Sequence, residues 1–237
     1  MRYRAVISYD GANYVGWQRQ LNGMSVQEKI EIALTKIFGT PTSCTASGRT
    51  DSGVHAEGQV IHFDAVTSIP TDKIPYAVNT ELPDDVSMLQ CEETSDDFNA
   101  RFSAKRKTYR YSLYSAPHRI ATLNRNHTHI ISPLNVDDMK KAAEYIVGEH
   151  DFKCFEASGS VVKSTVRTVF SIDIAVTQLT AIKGGAFAPV KMDISVTGNG
   201  FLYNMVRIIA GTLVYVGMGK LTPDDVKEII DSRDRTR

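Results

Sequence analysis

One order of elements constrains this chain more than any other feature: strand, helix, strand, strand, helix, strand. Residues 3–8 alternate as a strand. Ser25 with Glu28 three residues on is a capping box, after which Val26, Ile30, Ala33, Leu34 and Ile37 recur at helical spacing until Gly39. Residues 42–45 and 59–64 are extended, residues 72–79 fit a shorter helix, and residues 86–91 close the set. This is the order of a split βαβ unit, an antiparallel sheet with helices on one face, so the fold class is α+β and ferredoxin-like.

The second half repeats the order. Residues 107–114 place Tyr109, Tyr111 and Leu113 on one face of a strand and Thr108, Arg110 and Ser112 on the other. A helix starting at Asn135 carries Met139, Ala142, Ala143 and Ile146 and stops at Gly148. Strands follow at 166–176 and 191–197, joined by a mobile loop at 177–189. Residues 201–216 are apolar almost all round, which predicts a buried helix with Arg207 in its middle, a charge that then needs a partner. Thr222, Pro223, Asp224 and Asp225 open a last helix. By analogy with the first half one final strand is missing. The expected halves are 1–103 and 104–237.

A chain of 237 residues can bury a real core in either half. No apolar run approaches a membrane span and the N-terminus lacks a signal-peptide pattern, so the expected location is cytoplasmic. Cys44, Cys91 and Cys154 are odd in number and far apart, which argues for reduced core thiols over disulfides or a zinc site. Net charge is zero, but it is partitioned. Residues 81–97 carry acids and no Lys or Arg, whereas residues 101–136 carry no acid and hold Arg101, Lys105, Arg106, Lys107, Arg110, Arg119 and Arg125. A local basic face can hold a phosphate backbone on a neutral protein.

The stretch richest in chemistry is residues 46–56, Ala-Ser-Gly-Arg-Thr-Asp-Ser-Gly-Val-His-Ala. It sets Arg49, Thr50, Asp51, Ser52 and His55 around two glycines between extended flanks, more functional groups than a hairpin turn requires. No nucleotide-phosphate loop and no metal-ligand spacing occurs, so neither metal nor cofactor is expected. A glycosidase or nucleosidase, which would release free base, needs a second carboxylate; the nearest, Glu57, fits a solvated strand end. One carboxylate suits an isomerisation in which the bond broken at a sugar is replaced by a new bond to the same sugar.

Gly-Arg-Thr-Asp-x-Gly-Val-His-Ala resembles the signature of the TruA-type tRNA pseudouridine synthases, whose members commonly carry Ala at the places of Ser47 and Ser52. Tyr9-Asp10-Gly11 with Gly16-Trp17-Gln18, Arg101-Phe102-x-Ala104-Lys105-Arg106, the stretch 148–155, Arg167-Thr168 and Met205-Val206-Arg207 match in order along nearly the whole chain. The family also usually continues past an Asp-Arg like Asp234-Arg235 into a glycine-containing strand, so a truncated or shortened chain is expected.

The resemblance implies two pseudo-repeated, RRM-like halves whose sheets join into one extended sheet with the active-site cleft between them. It implies isomerisation of uridine to pseudouridine at positions 38 to 40 of the tRNA anticodon arm, by a homodimer. Asp51 is then the nucleophile and Arg207 its charge partner. Tyr109 stacks on the uracil and helps remove a proton from carbon. Arg49 holds a phosphate or fills the space of the flipped base. Arg101, Lys105, Arg106 and Lys107 bind phosphates, against the bland alternative of a solvated face. His55 is as well explained by a loop-ordering hydrogen bond, Tyr111 by the core, and the remaining histidines by structure. The rival function is a non-catalytic RNA-binding module on the same fold, indifferent to Asp51.

Overall fold

The computed structural model describes residues 1–159, 162–180 and 185–234. The chain divides into two compact units, Met1–Lys105 and a second from Arg106 onward. Both are mixed α and β, and each has its own sheet and core.

In the first unit β1 (Arg2–Tyr9), α1 (Val26–Phe38), β2 (Cys44–Ala46), β3 (Ala56–Asp64), α2 (Ile74–Asn79) and β4 (Val86–Thr94) follow in the expected order. The strands form an antiparallel sheet in the order β2-β3-β1-β4. Strand alternation buries Tyr3, Ala5, Ile7 and Tyr9 of β1 against Val26, Ile30, Ala33 and Leu34 of α1 and Ile74 and Val78 of α2. Each Val, Leu or Ile among them contributes about 1.5–3 kcal/mol on burial. Ser25 caps α1 by accepting from the Glu28 N–H at 3.2 Å, but the Glu28 carboxylate does not close the box; it turns to Arg19 Nη2 at 3.2 Å.

The ladder decides what shares an end of this sheet. A register shift in β1 sets Tyr9 opposite Ala56 of β3, and Tyr9 also faces Val86 of β4. The segments after β1, before β3 and before β4 therefore leave the sheet together.

The second unit holds β5 (Lys107–Ser115), β6 (Thr128–Ile130), α3 (Val136–Ile146), β7 (Gly148–Asp151), β8 (Val166–Gln178), β9 (Val190–Gly198), α4 (Met205–Gly217) and α5 (Pro223–Ser232). Its sheet runs β6-β5-β9-β8-β7, with β6 parallel to β5 and the other pairs antiparallel. Two strands lack a counterpart in the sequence pattern. β6 and β7 are short and sit at the sheet edges, where backbone pairing suffices and no apolar alternation is demanded. The loop expected at 177–189 is also shorter than its range: β8 runs to Gln178 and Leu179 N–H donates to Pro189 O at 3.0 Å. Residues 181–184 of that loop, and Arg235 of the Asp-Arg pair, lie outside the described residues.

Helix α4 corrects one expectation. It buries Met205, Ile209, Ala210, Leu213, Val214 and Val216, yet Arg207 is exposed, in line with exposed Gly211 and Tyr215 at four-residue spacing. Gly211 and Tyr215 make the exposed line look apolar in sequence, yet Tyr215 is 52% exposed. Arg207 is no buried charge, and its desolvation demands no partner. No helix among the described residues is long and apolar enough to cross a membrane.

Candidate active site

The Asp51 loop is anchored by the end of β1 and the segment that follows it. On one side, Trp17 N–H donates to Thr50 O at 3.0 Å and the buried Tyr9 hydroxyl bonds Thr50 Oγ1 at 2.8 Å. On the other, Tyr14 O accepts from Ser52 Oγ at 3.2 Å and Gly53 N–H at 3.4 Å. Between these anchors Asp51 O accepts from Val54 N–H at 3.1 Å, closing a turn with Gly53 at φ 76°. The Asp51 side chain is exposed.

The fit between the two segments leaves no room for side chains. A Cβ on Gly11 would stand 2.0 Å from Val54 O, and one on Gly16, at φ 113°, 2.8 Å from Thr50 O. Only glycine permits that approach. Gln59, almost fully buried, holds the loop's start: its Nε2 donates to Gly48 O at 2.6 Å and its Oε1 accepts from Ser47 Oγ at 2.8 Å.

A further anchor is Asp85. One carboxylate oxygen accepts from Tyr14 Oη at 2.5 Å, the other from Asn13 Nδ2 at 3.0 Å, and its carbonyl accepts from Asp10 N–H at 2.9 Å. Burial, then the bond to Asp85, pushes the Tyr14 phenol well above its ordinary pKa. The charge pattern counted Asp85 only as one acid of a run, and Tyr14 and Gln59 carried no signal of their own. A buried polar residue such as Gln59 becomes visible only once its neighbours are known.

His55 Nδ1 lies 3.2 Å from Gly11 N and 2.9 Å from Asp10 Oδ1. That nitrogen can accept from the first or donate to the second, not both, and either choice ties the two segments together. The loop-ordering role weighed for His55 matches these contacts.

In the second unit, Tyr109 on β5 is half-buried and meets Phe201 edge to face at a centroid distance of 5.3 Å. Tyr111 packs on the core with its hydroxyl 2.9 Å from Thr128 Oγ1, as expected of a sheet tyrosine. Arg49, Arg101, Lys105 and Arg106 are exposed and Lys107 is partly so. Arg101 lies over the Phe102 ring at 5.5 Å and Arg106 over the Phe170 ring at 5.7 Å. Among the described residues, no cluster of three or more His, Cys, Asp or Glu side chains is arranged to hold a metal ion.

An exposed carboxylate on a loop fixed from both sides can attack with little reorganisation. The family model described as tRNA pseudouridine synthase matches residues 5–103 and 142–237. The chain is 48% identical over 236 residues to tRNA pseudouridine synthase A of Ruminiclostridium cellulolyticum, covering 100% of this chain and 92% of that protein. The chain belongs to the tRNA pseudouridine synthase family.

Other members named tRNA pseudouridine synthase A are 47% identical over 232 residues in Thermoanaerobacter sp. strain X514, covering 98% of this chain and 91% of that one, and 44% identical over 237 residues in Bacillus subtilis, covering 99% and 92%. The pseudouridine synthase match takes in the whole Asp51 loop and its anchors. Tyr109 falls between the two matched segments, although the relatives align across it.

Proposed function

We propose that this chain isomerises uridine to pseudouridine in tRNA, at positions 38 to 40 of the anticodon arm, with Asp51 as nucleophile. One observation carries the reading. In a chain of this family, the motif carboxylate is exposed on a loop whose neighbours Thr50, Ser52 and Gly53 are all held by the segment after β1. The reaction balances without outside reagents: the bond from the sugar to the base nitrogen breaks, the uracil turns, a bond from the sugar to a ring carbon forms, and the proton leaving that carbon is matched by one gained at the freed nitrogen.

Arg207 is assigned as the cation that keeps the acid ionised, on the strength of the Met205-Val206-Arg207 match alone. Tyr109 is assigned to stack on the uracil and assist proton removal. Arg101, Lys105, Arg106 and Lys107 are assigned to phosphates, and Arg49 to a phosphate or to the space of the flipped base. All the phosphate candidates are wholly or partly exposed, which supports those roles.

The fold reading is a ferredoxin-like pseudo-repeat with halves at 1–103 and 104–237. In support, β8-β9-β5 repeats the neighbour relations of β2-β3-β1, with α3 between β5 and β8 in the chain as α1 lies between β1 and β2. We further infer a homodimer working in the cytoplasm; gel filtration giving only monomer at micromolar concentration would remove the dimer.

The test is tritium release from tRNA labelled at carbon 5 of uridine. Asp51→Asn should keep tRNA binding and abolish release. Release at the wild-type rate by this variant rules out Asp51 as nucleophile, and chromatographic detection of free uracil from the wild type would replace isomerisation with nucleosidase chemistry.

A further inference from the structure

Phe102 is 78% exposed, and the chain is built to hold it there. Asn99 organises the turn that carries it: Oδ1 accepts from Arg101 N–H at 3.0 Å and Phe102 N–H at 3.3 Å, Asn99 O accepts from Ser103 N–H at 2.7 Å, and Asn99 N–H donates to Ser103 Oγ at 3.2 Å. The turn is docked on the sheet of the first unit. Buried Ala100 donates its N–H to His62 Nδ1 at 3.1 Å, and Arg2 Nη1 donates to Asp96 O at 2.5 Å and Phe98 O at 3.0 Å.

A turn fixed by this many bonds does not expose a phenyl ring through slackness. A single exposed ring is ordinary on a protein surface; what sets this one apart is a cation held against it on a backbone fixed by hydrogen bonds. Charge names its chemistry. The Arg101 guanidinium lies over the ring at 5.5 Å, Lys105 is exposed just beyond, and after the exposed Asp96 and Asp97 the chain contains no acid over residues 98–136. Exposed aromatic and cation side by side match a flat base joined to a phosphate.

We propose that Phe102 is a stacking platform for an unstacked base of the RNA substrate, with Arg101 taking the adjoining phosphate. The assignment rests on the tRNA reading above and adds a base contact to the phosphate contacts proposed there. Stacking on an aromatic ring tolerates any base, so this contact gives affinity and registers the strand without choosing the sequence.

Binding of an unmodified anticodon-arm RNA, followed by anisotropy over a range of salt, tests it. Phe102→Ala should weaken binding about tenfold at every salt concentration, and Phe102→Tyr should restore it to within about twofold. Arg101→Ala should instead lower the slope of log K against log salt by about one phosphate contact. Trp17, the only tryptophan, is 3% exposed, so the tryptophan of Phe102→Trp is a distinct exposed probe whose fluorescence should be quenched on saturation with RNA. Binding by Phe102→Ala within twofold of wild type, or an unquenched Phe102→Trp at saturation, overturns the proposal while leaving tritium release by the wild type, and hence the isomerase reading, intact. A wild-type chain that binds the RNA but releases no tritium sinks the isomerase reading and leaves the stacking result to stand or fall on binding alone.

Discussion

Exposure changes what the loss of Arg207 should do. A buried arginine removed from a helix leaves a hole or an uncompensated partner and costs several kcal/mol. On the exposed line of α4, Arg207→Ala should shift unfolding free energy by no more than about 0.5 kcal/mol in a urea titration. If Arg207 acts on the reacting carboxylate, the same variant should lose about a hundredfold in turnover. A stable, inactive variant separates the catalytic role from a structural one; a stable, active one removes Arg207 from the mechanism. His55 and Tyr111 make the complementary point. Both are polar residues with hydrogen-bonding contacts inside their own unit, His55 to Gly11 or Asp10 and Tyr111 to Thr128.

At the scale of elements, the segment after β1 and the Asp51 loop behave as one piece. Its order in the chain hid this: Tyr9 and Thr50 are 41 residues apart, Tyr14 and Asp85 71 apart. Tyr14→Phe removes the hydroxyl that Asp85 holds while leaving the ring. We expect it to lower kcat about tenfold with KM for tRNA unchanged, and to cost about 1.5–3 kcal/mol as a hydrogen bond to a charged group. Because Asp85→Asn disturbs the same bond, the double variant should lose less than the sum of the singles. Additive losses would show that Asp85 does not act through Tyr14. The motif residues of both loops were legible as a family pattern, but Asp85 was not. Its identity as an acid in a run says nothing about which hydroxyl it meets, and that is fixed only when β4 pairs beside β1.

For the whole molecule, stability should fall as pH drops below neutrality. Burial, then the nearby Arg2 charge, holds His62 below the ordinary histidine pKa of 6.5, and burial together with Lys191 does the same for His127. Both stay neutral in the fold at a pH where the unfolded chain already binds protons. Stability is therefore full above about pH 6.5 and is lost as pH falls through the lowered folded values. The Tm should decrease between pH 7 and pH 5, and His62→Gln, which keeps an acceptor for Ala100 N–H, should flatten that decrease; an unchanged slope would clear His62 of the effect. The amino-acid sequence alone determined the helices, the Ser25 and Thr222 caps and the principal strands, because spacing and capping are local, and it determined the family because motif residues keep their order along the chain. Tertiary structure alone decided that Arg207 faces solvent, that β6 and β7 exist as edge strands, and that Tyr9, Tyr14, Gln59 and Asp85 hold the loop of Asp51. Each of those depends on which distant segments pack together, and side-chain type does not encode distance through space.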